Sequence, residues 1–368
     1  MDRIRYPLVL LMVVSTILGL WAALRLIGWN LAVPTAGFEE FHGPIMVDGV
    51  LASLIGLERA VALRKRWPYL APGLSGAASL ALFLPNGEQW AGLLWTVSGA
   101  VLTLVFLTIY RLQPSFHGGI MVVGASLLAV GNLFWWATSQ VPWMVLWWVS
   151  FLVLLIAAER LELSRVFRIS PAQRVAFATG TGLLVAAPLV SLASFPDAAL
   201  LAGAGLAVLG GWLLLYDIAW RNVKSPGKPR FLGVTLLSGY VWLLCAALLV
   251  ILGGPTLPTL YYDAFLHSVF LGFVFTMIMA HSMVILRSFL GRDIPFTTLF
   301  YVPLVLVEGT LALRVYADVV GWETLRMWAG LLNVVAIALF AVLLVGSIAR
   351  GSLRWVRELF HPDFMNVQ

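Results

Sequence analysis

Apolar runs of roughly 20 residues, the length needed to cross the hydrocarbon of a bilayer, recur from Pro7 almost to the end of the chain with only short connections between them. Hydrophobic residues make up 61% of the 368 and charged residues 11%, a balance outside that of soluble globular domains. Lipid offers no partner to an unpaired backbone group, so segments of this kind cross the membrane as helices. The expectation is an all-α, polytopic membrane protein of about 12 transmembrane helices, one integral membrane domain over residues 1–368. The spans fall near 7–29, 43–63, 70–86, 89–111, 117–139, 142–160, 173–193, 197–220, 231–253, 261–287, 296–317 and 324–349.

The formal charge is +6. The basic residues cluster in alternate connections: Arg64, Lys65 and Arg66; Arg165, Arg168 and Arg174; Lys224, Lys228 and Arg230; Arg350, Arg354 and Arg357. Only Arg25, Arg314 and Arg326 fall on the other side. That asymmetry is the positive-inside rule, and it places both termini on the cytoplasmic side of a bacterial-type inner membrane. The charge therefore reads as orientation, with lipid as the partner and no nucleic acid. The opening run MDRIRYPLVLLMVVSTILGLW is too long for a signal-peptide core and lacks a small-residue cleavage site, so it reads as a retained first span. Cys245, the single cysteine, lies inside an apolar run, which excludes a disulfide framework and a cysteine-based metal site. No Walker sequence, nucleophile elbow or HExxH is present, and hydrolytic and ATP-driven activities lack support.

Two nine-residue stretches match closely. Phe41 to Gly49 reads FHGPIMVDG and Phe116 to Gly124 reads FHGGIMVVG, identical at seven of nine positions. They open spans two and five, an odd offset, so the copies run in opposite directions. This predicts an inverted repeat in the N-terminal half, residues 1–75 and 76–150 being its three-helix units, of the kind that builds many transporters.

The repeat places His42 at the outer level and His117 at the inner one. Span ten carries two more, His267 and His281, fourteen residues apart. At about 1.5 Å and 100° per residue they lie roughly 21 Å apart on nearly one face. Ionisable groups at membrane depth face the bundle interior and need a partner or ligand. The levels match in two couples, His42 with His267 outside and His117 with His281 inside, while His361 reads as solvated tail. Paired imidazoles are the axial arrangement of six-coordinate haem iron, and the expectation is two b-type haems stacked across the bilayer. Gly43, Gly49, Gly118, Gly124 and Gly272 would let backbone approach the macrocycles. Each histidine also has a packing or capping explanation, and the glycines one in helix contacts.

Two histidines at this spacing on one helix resemble the diheme pattern of the cytochrome b family, a resemblance confined to span ten. In size, span number and sparse His-Gly motifs, such as those at His42 and His117, the chain also resembles the NnrS family of haem- and copper-containing membrane proteins. That resemblance implies haem or copper chemistry associated with nitric oxide tolerance. The twelve-span haem–copper oxidases need about six histidines, more than the four in these spans.

Copper is the alternative metal, since Met46 and Met121 each follow a repeat histidine by four residues and Met277, Met279 and Met283 surround His281. Asp263, four residues before His267, is placed to orient its second ring nitrogen. Asp48 lies inside its span. Glu308 lies deepest of the carboxyls, as a proton relay or as a partner of Arg314. Glu58, Arg59, Glu159, Arg160, Asp217 and Arg221 sit at span ends, where ion pairs or snorkelling explain them. Arg59, Arg160 and Arg287 inside, with Arg25, Arg314 or Arg326 outside, are candidates for holding haem propionates. The leading expectation is transmembrane electron transfer, with a quinol or redox protein as partner and oxidoreductase chemistry on a quinol or nitric oxide. A secondary transporter with a mid-membrane site, or a structural subunit of a respiratory assembly, are the competing classes.

Overall fold

The computed structural model describes residues 4–32, 34–35, 37–164, 169–253, 260–290 and 294–359. His361, Arg165 and Arg168 lie outside them. Among the described residues the regular elements are all helices, without strands. We label the main helices α1 (Arg5–Leu26), α2, α3 (Leu70–Ala81), α4 (Gly87–Leu112), α5 (Phe116–Thr138), α6 (Val141–Leu163), α7 (Pro171–Val190), α8 (Phe195–Tyr216), α9 (Lys228–Gly253), α10, α11 (Tyr301–Val320) and α12 (Glu323–Leu359). Helix α2 runs without a break through His42–Pro44, a π-helical stretch Ile45–Ala52, and Ser53–Leu63. Helix α10 is built alike, from Leu260–His267, a π-helical Ser268–Phe275 and Thr276–Leu290. A short helix, Ala219–Val223, joins α8 to α9.

Ten of these helices, α1 and α4 to α12, are long and apolar enough to cross a membrane. The other two differ for readable reasons. Helix α2 has the length but carries Asp48, Glu58 and Arg59. Helix α3 has 12 residues, about 18 Å at 1.5 Å per residue, shorter than the span expected at 70–86. It stops because the chain turns at 82–86, where Asn86 takes a left-handed φ of 55° before Gly87 opens α4.

Consecutive helices pack as neighbours, α4 on α5, α5 on α6, α7 on α8, α8 on α9 and α11 on α12, as short connections require. Helix α6 occupies the centre. Its apolar window is 89% buried, against 22% for α1 and α12, whose outward faces show Leu10, Ile17, Val342 and Val345. Trp147 and Trp148 of α6 are fully enclosed in the main apolar core. A second apolar cluster joins α9, α10, α11 and α12 through Phe231, Met279, Leu304 and Phe340.

Close approach of α1 to α2 depends on one residue. A side chain at Gly19 would meet the sulfur of Met46 at 2.6 Å. With no side chain there, the α1 backbone lies against α2, and the Gly19 carbonyl reaches His42.

Candidate functional site

His42 opens α2 immediately after a 3-10 turn, Phe38–Phe41, entered through Gly37 at φ 71°. Pro44 suits this first helical turn, whose backbone N–H groups have no partner within the helix. His267 is the last residue before the π-helical stretch of α10, as His42 lies shortly before that of α2. Such wide turns are rare and frequent at functional sites.

The structure brings His42 and His267 together, their ring centroids 6.3 Å apart and their planes within 5° of parallel. His42 Nδ1 lies 2.9 Å from the Gly19 carbonyl oxygen, and His267 Nδ1 lies 2.9 Å from that of Asp263. A carbonyl only accepts, so each Nδ1 carries the hydrogen and each Nε2 keeps its lone pair. A backbone carbonyl fixing the far nitrogen is the usual support of a metal-bound imidazole.

Both histidines line a cavity of about 600 Å³ with Ala23, Leu26, Ile27, Leu260, Tyr262, Asp263, Arg314 and Arg326, a volume in the range of cofactor sites. Asp263 Oδ2 accepts from Arg314 at 3.0 Å and Arg326 at 3.2 Å, and its Oδ1 lies 3.3 Å from His267 Nδ1. Arg326 also lies 2.8 Å from Asp318. Arg314 therefore pairs with Asp263, and the expected partnership of Arg314 with Glu308 is not formed. Glu308 instead accepts from the indole of Trp242 at 2.5 Å.

The other two histidines are held on different residues of α6. His117 Nε2 lies 3.0 Å from Ser115 Oγ and 3.6 Å from Glu162. His281 has Nδ1 2.8 Å from the Met277 carbonyl and Nε2 3.3 Å from Arg160. Arg160 and Glu162 are two residues apart, about 200° around a helix, so they point to opposite sides of α6. Arg160 thus lies against the one His281 ring nitrogen that the Met277 carbonyl leaves open. Arg160 in turn grips Asp217 through two bonds of 2.9 and 2.7 Å, with Ala219 N–H donating at 2.7 Å to the same carboxylate. Glu159 pairs with Arg59 of α2. These span-end charges thus join different helices, with Arg59 also 3.7 Å from its neighbour Glu58, and the sequence did not indicate the cross-helix partners.

The five glycines expected to approach a macrocycle are absent from the cavity lining. A side chain at Gly43 would meet Trp148, at Gly49 Ser15 and Ser79, at Gly118 Ser115 and Tyr110, at Gly124 Phe151 and Leu154, and at Gly272 Trp242. Helix contact accounts for them. Met46, likewise, lies against Gly19 and does not line the cavity.

Between the two ends lies a polar group that sequence reasoning missed. Asn132 of α5, fully buried, donates to Asp48 Oδ1 at 2.6 Å and accepts from the Trp148 indole at 3.1 Å. Ser75 Oγ donates to the Asp48 carbonyl at 2.5 Å, and Trp95 donates to the Ser75 carbonyl. A single asparagine in an apolar span was the only signal.

A model of one protein family, a domain of unknown function designated DUF8744, matches residues 5–349. The chain belongs to the DUF8744 family. No curated protein and no solved structure matches it. The match spans α1 to nearly the whole of α12, so the His42–His267 cavity and the Arg160–Asp217 pair both lie within the DUF8744 region.

Proposed function

We propose that this protein is a multi-pass membrane redox protein that binds one b-type haem between His42 and His267. The reading rests on one observation, the parallel imidazoles with centroids 6.3 Å apart and both Nδ1 atoms tied to backbone carbonyls. Among the described residues there is no group of three or more His, Cys, Asp or Glu side chains able to hold a metal ion. Two imidazoles alone leave a bare ion short of donors, and a porphyrin supplies four nitrogens. The cavity suits it, with apolar walls from Ala23, Leu26, Ile27 and Leu260 and with Arg314 and Arg326 within reach of carboxylate tails. Haem bound there supplies one-electron chemistry at iron.

The chain's own residues set that chemistry. Gly19 and Asp263 carbonyls orient the two rings, and the Asp263 carboxylate beside His267 Nδ1 strengthens that imidazole as a donor. Electrons exchange with a quinol in the bilayer or a small redox partner. Haem held by both His42 and His267 would favour electron transfer over the binding of a gas such as nitric oxide. In this reading the haem sits at the outer couple, and Arg160 beside His281 Nε2 argues against a second one at the inner level.

We take α2 and α3 as two further crossings, giving twelve in a bacterial-type inner membrane with the Arg64–Arg66 side cytoplasmic. Depth supports the inverted relation of α2 and α5. Asp48 lies six residues beyond His42, about 9 Å, and Asn132 fifteen beyond His117, about 22 Å. Their contact leaves His42 and His117 about 31 Å apart if the helices run oppositely, close to the roughly 30 Å of bilayer hydrocarbon.

A secondary transporter is the competing reading. It is favoured by cross-helix ion pairs, Arg59 with Glu159 and Arg160 with Asp217, at the end away from the cavity. The absorption spectrum of the purified protein separates the two. Sharp reduced-state bands of low-spin haem, lost in His42→Ala and in His267→Ala but kept in His117→Ala and His281→Ala, are expected. A colourless protein expressed with ample haem refutes the redox reading.

A further inference from the structure

Asp48 is 1% exposed, six residues beyond His42 on α2. Asn132 satisfies its Oδ1, whereas Oδ2 is buried without a hydrogen-bond partner. The surrounding helices bring it no counter-charge. Helix α3 has no ionisable residue, and α1, α4, α5 and α6 carry theirs toward their ends: Arg5, Tyr6 and Arg25; Glu88, Tyr110 and Arg111; His117; Glu159, Arg160 and Glu162. Helix α10 has Tyr261, Tyr262, Asp263 and His267 toward one end and His281 and Arg287 toward the other. On α2 itself the neighbours are His42 above and Glu58 and Arg59 below.

An ionised carboxylate in this place is an unpaired charge at membrane depth, a costly state that usually marks a functional group. A bound proton removes that charge. About 9 Å of helix separates Asp48 from His42, and at that distance in a medium of low dielectric a charge added at one site is felt at the other.

We infer that Asp48 is a redox-linked proton site: where the pH is high enough to ionise it in the oxidised protein, its Oδ2 takes one proton from water as one electron enters the His42–His267 site, and returns it on oxidation. This rests on the haem reading above. The electron comes from a quinol or an electrode mediator and reduces ferric to ferrous iron, so one negative and one positive charge arrive together and no covalent bond in the protein breaks. The hydroxyls of Ser15 and Ser79, 3.0 Å apart beside Gly49, and of Ser53 on α2 offer polar stepping points through the apolar surroundings.

The test is potentiometric titration of the purified full-length protein across a range of pH, with redox-difference infrared spectroscopy. The wild-type midpoint potential should fall as pH rises, with a limiting slope of about 59 mV per pH unit, a tenfold change in the reduction equilibrium for one proton per electron. Asp48→Asn, which keeps the shape and the bond to Asn132, should flatten this slope, and Asp48→Glu should restore it. A carboxylic-acid band should grow on reduction and be missing in Asp48→Asn. Asn132→Leu, which keeps the acid but removes its hydrogen bond, should shift the band. A pH-independent wild-type midpoint, no such band in the wild type, an unshifted band in Asn132→Leu, or an unchanged slope in Asp48→Asn each overturns the inference. The last would place the proton at Asp263, Asp318 or a propionate. Failure of the haem reading shows separately, as the absence of haem bands before any titration.

Discussion

Asp217→Ala should be among the most damaging single changes in this protein. The Asp217 side chain is 0% exposed and its partner Arg160 4%. The carboxylate accepts two bonds from the guanidinium, one from Ala219 N–H and a longer one, 3.4 Å, from Ser164. Alanine strands a buried guanidinium with only uncharged neighbours, His281 Nε2 and the Tyr240 hydroxyl, beside it, and breaking a buried pair in this way costs about 3–5 kcal/mol. Asp217→Asn keeps an acceptor for Ala219 but loses the charge, and should fall between alanine and wild type. The pair Arg160→Met with Asp217→Leu removes both charges and fills the space, so it should cost less than either single change, with a coupling energy of about 3 kcal/mol. Unfolding in mixed micelles with increasing SDS, arranged as a double-mutant cycle, measures these differences. An Asp217→Ala cost below about 1 kcal/mol, or a double variant as damaging as the sum of the singles, would refute the argument that this charge pair is buried and mutually dependent.

Other changes test the remaining contacts. Gly272→Ala drives a methyl group into Trp242, and should lower stability by about 1–3 kcal/mol in the same micelle assay; a neutral effect would mean α9 and α10 are not in close contact there. Glu308→Leu leaves the Trp242 indole N–H without its acceptor and should cost about 1–3 kcal/mol, while Glu308→Gln, which keeps an oxygen, should cost about 1 kcal/mol or less. Equal losses in the two variants would assign Glu308 a role that depends on its charge. Arg314→Ala leaves Arg326 as the one arginine on Asp263, and if the haem reading proposed above holds, haem retention on dilution should weaken with the band positions unchanged; altered bands would mean that Arg314 acts on His42 or His267.

The helical, apolar character of the chain was legible because both follow from local sequence, the length of each run and its lack of charge. The coupling of His42 to His267 was legible too, since a helix of fixed rise converts residue numbers into depth. The same arithmetic placed His117 and His281 at one level, and their neighbours on α6 are two residues apart. Depth does not say which helix stands between two others, and α6 stands there, turning Arg160 to one histidine and Glu162 to the other. The glycines misled for a related reason. A position without a side chain shows that something comes close, and at Gly43 and Gly272 that something is a tryptophan from a neighbouring helix.

The sequence by itself determined a bundle of membrane-length helices and the level of each polar side chain along its helix, because hydrophobic length and helical rise are properties of a single segment. Only the tertiary structure decided who faces whom: His42 opposite His267, Asp217 under Arg160, Asn132 against Asp48. Azimuth and neighbour order depend on packing between segments far apart in the chain, and in a span that is apolar on every side no local pattern records them.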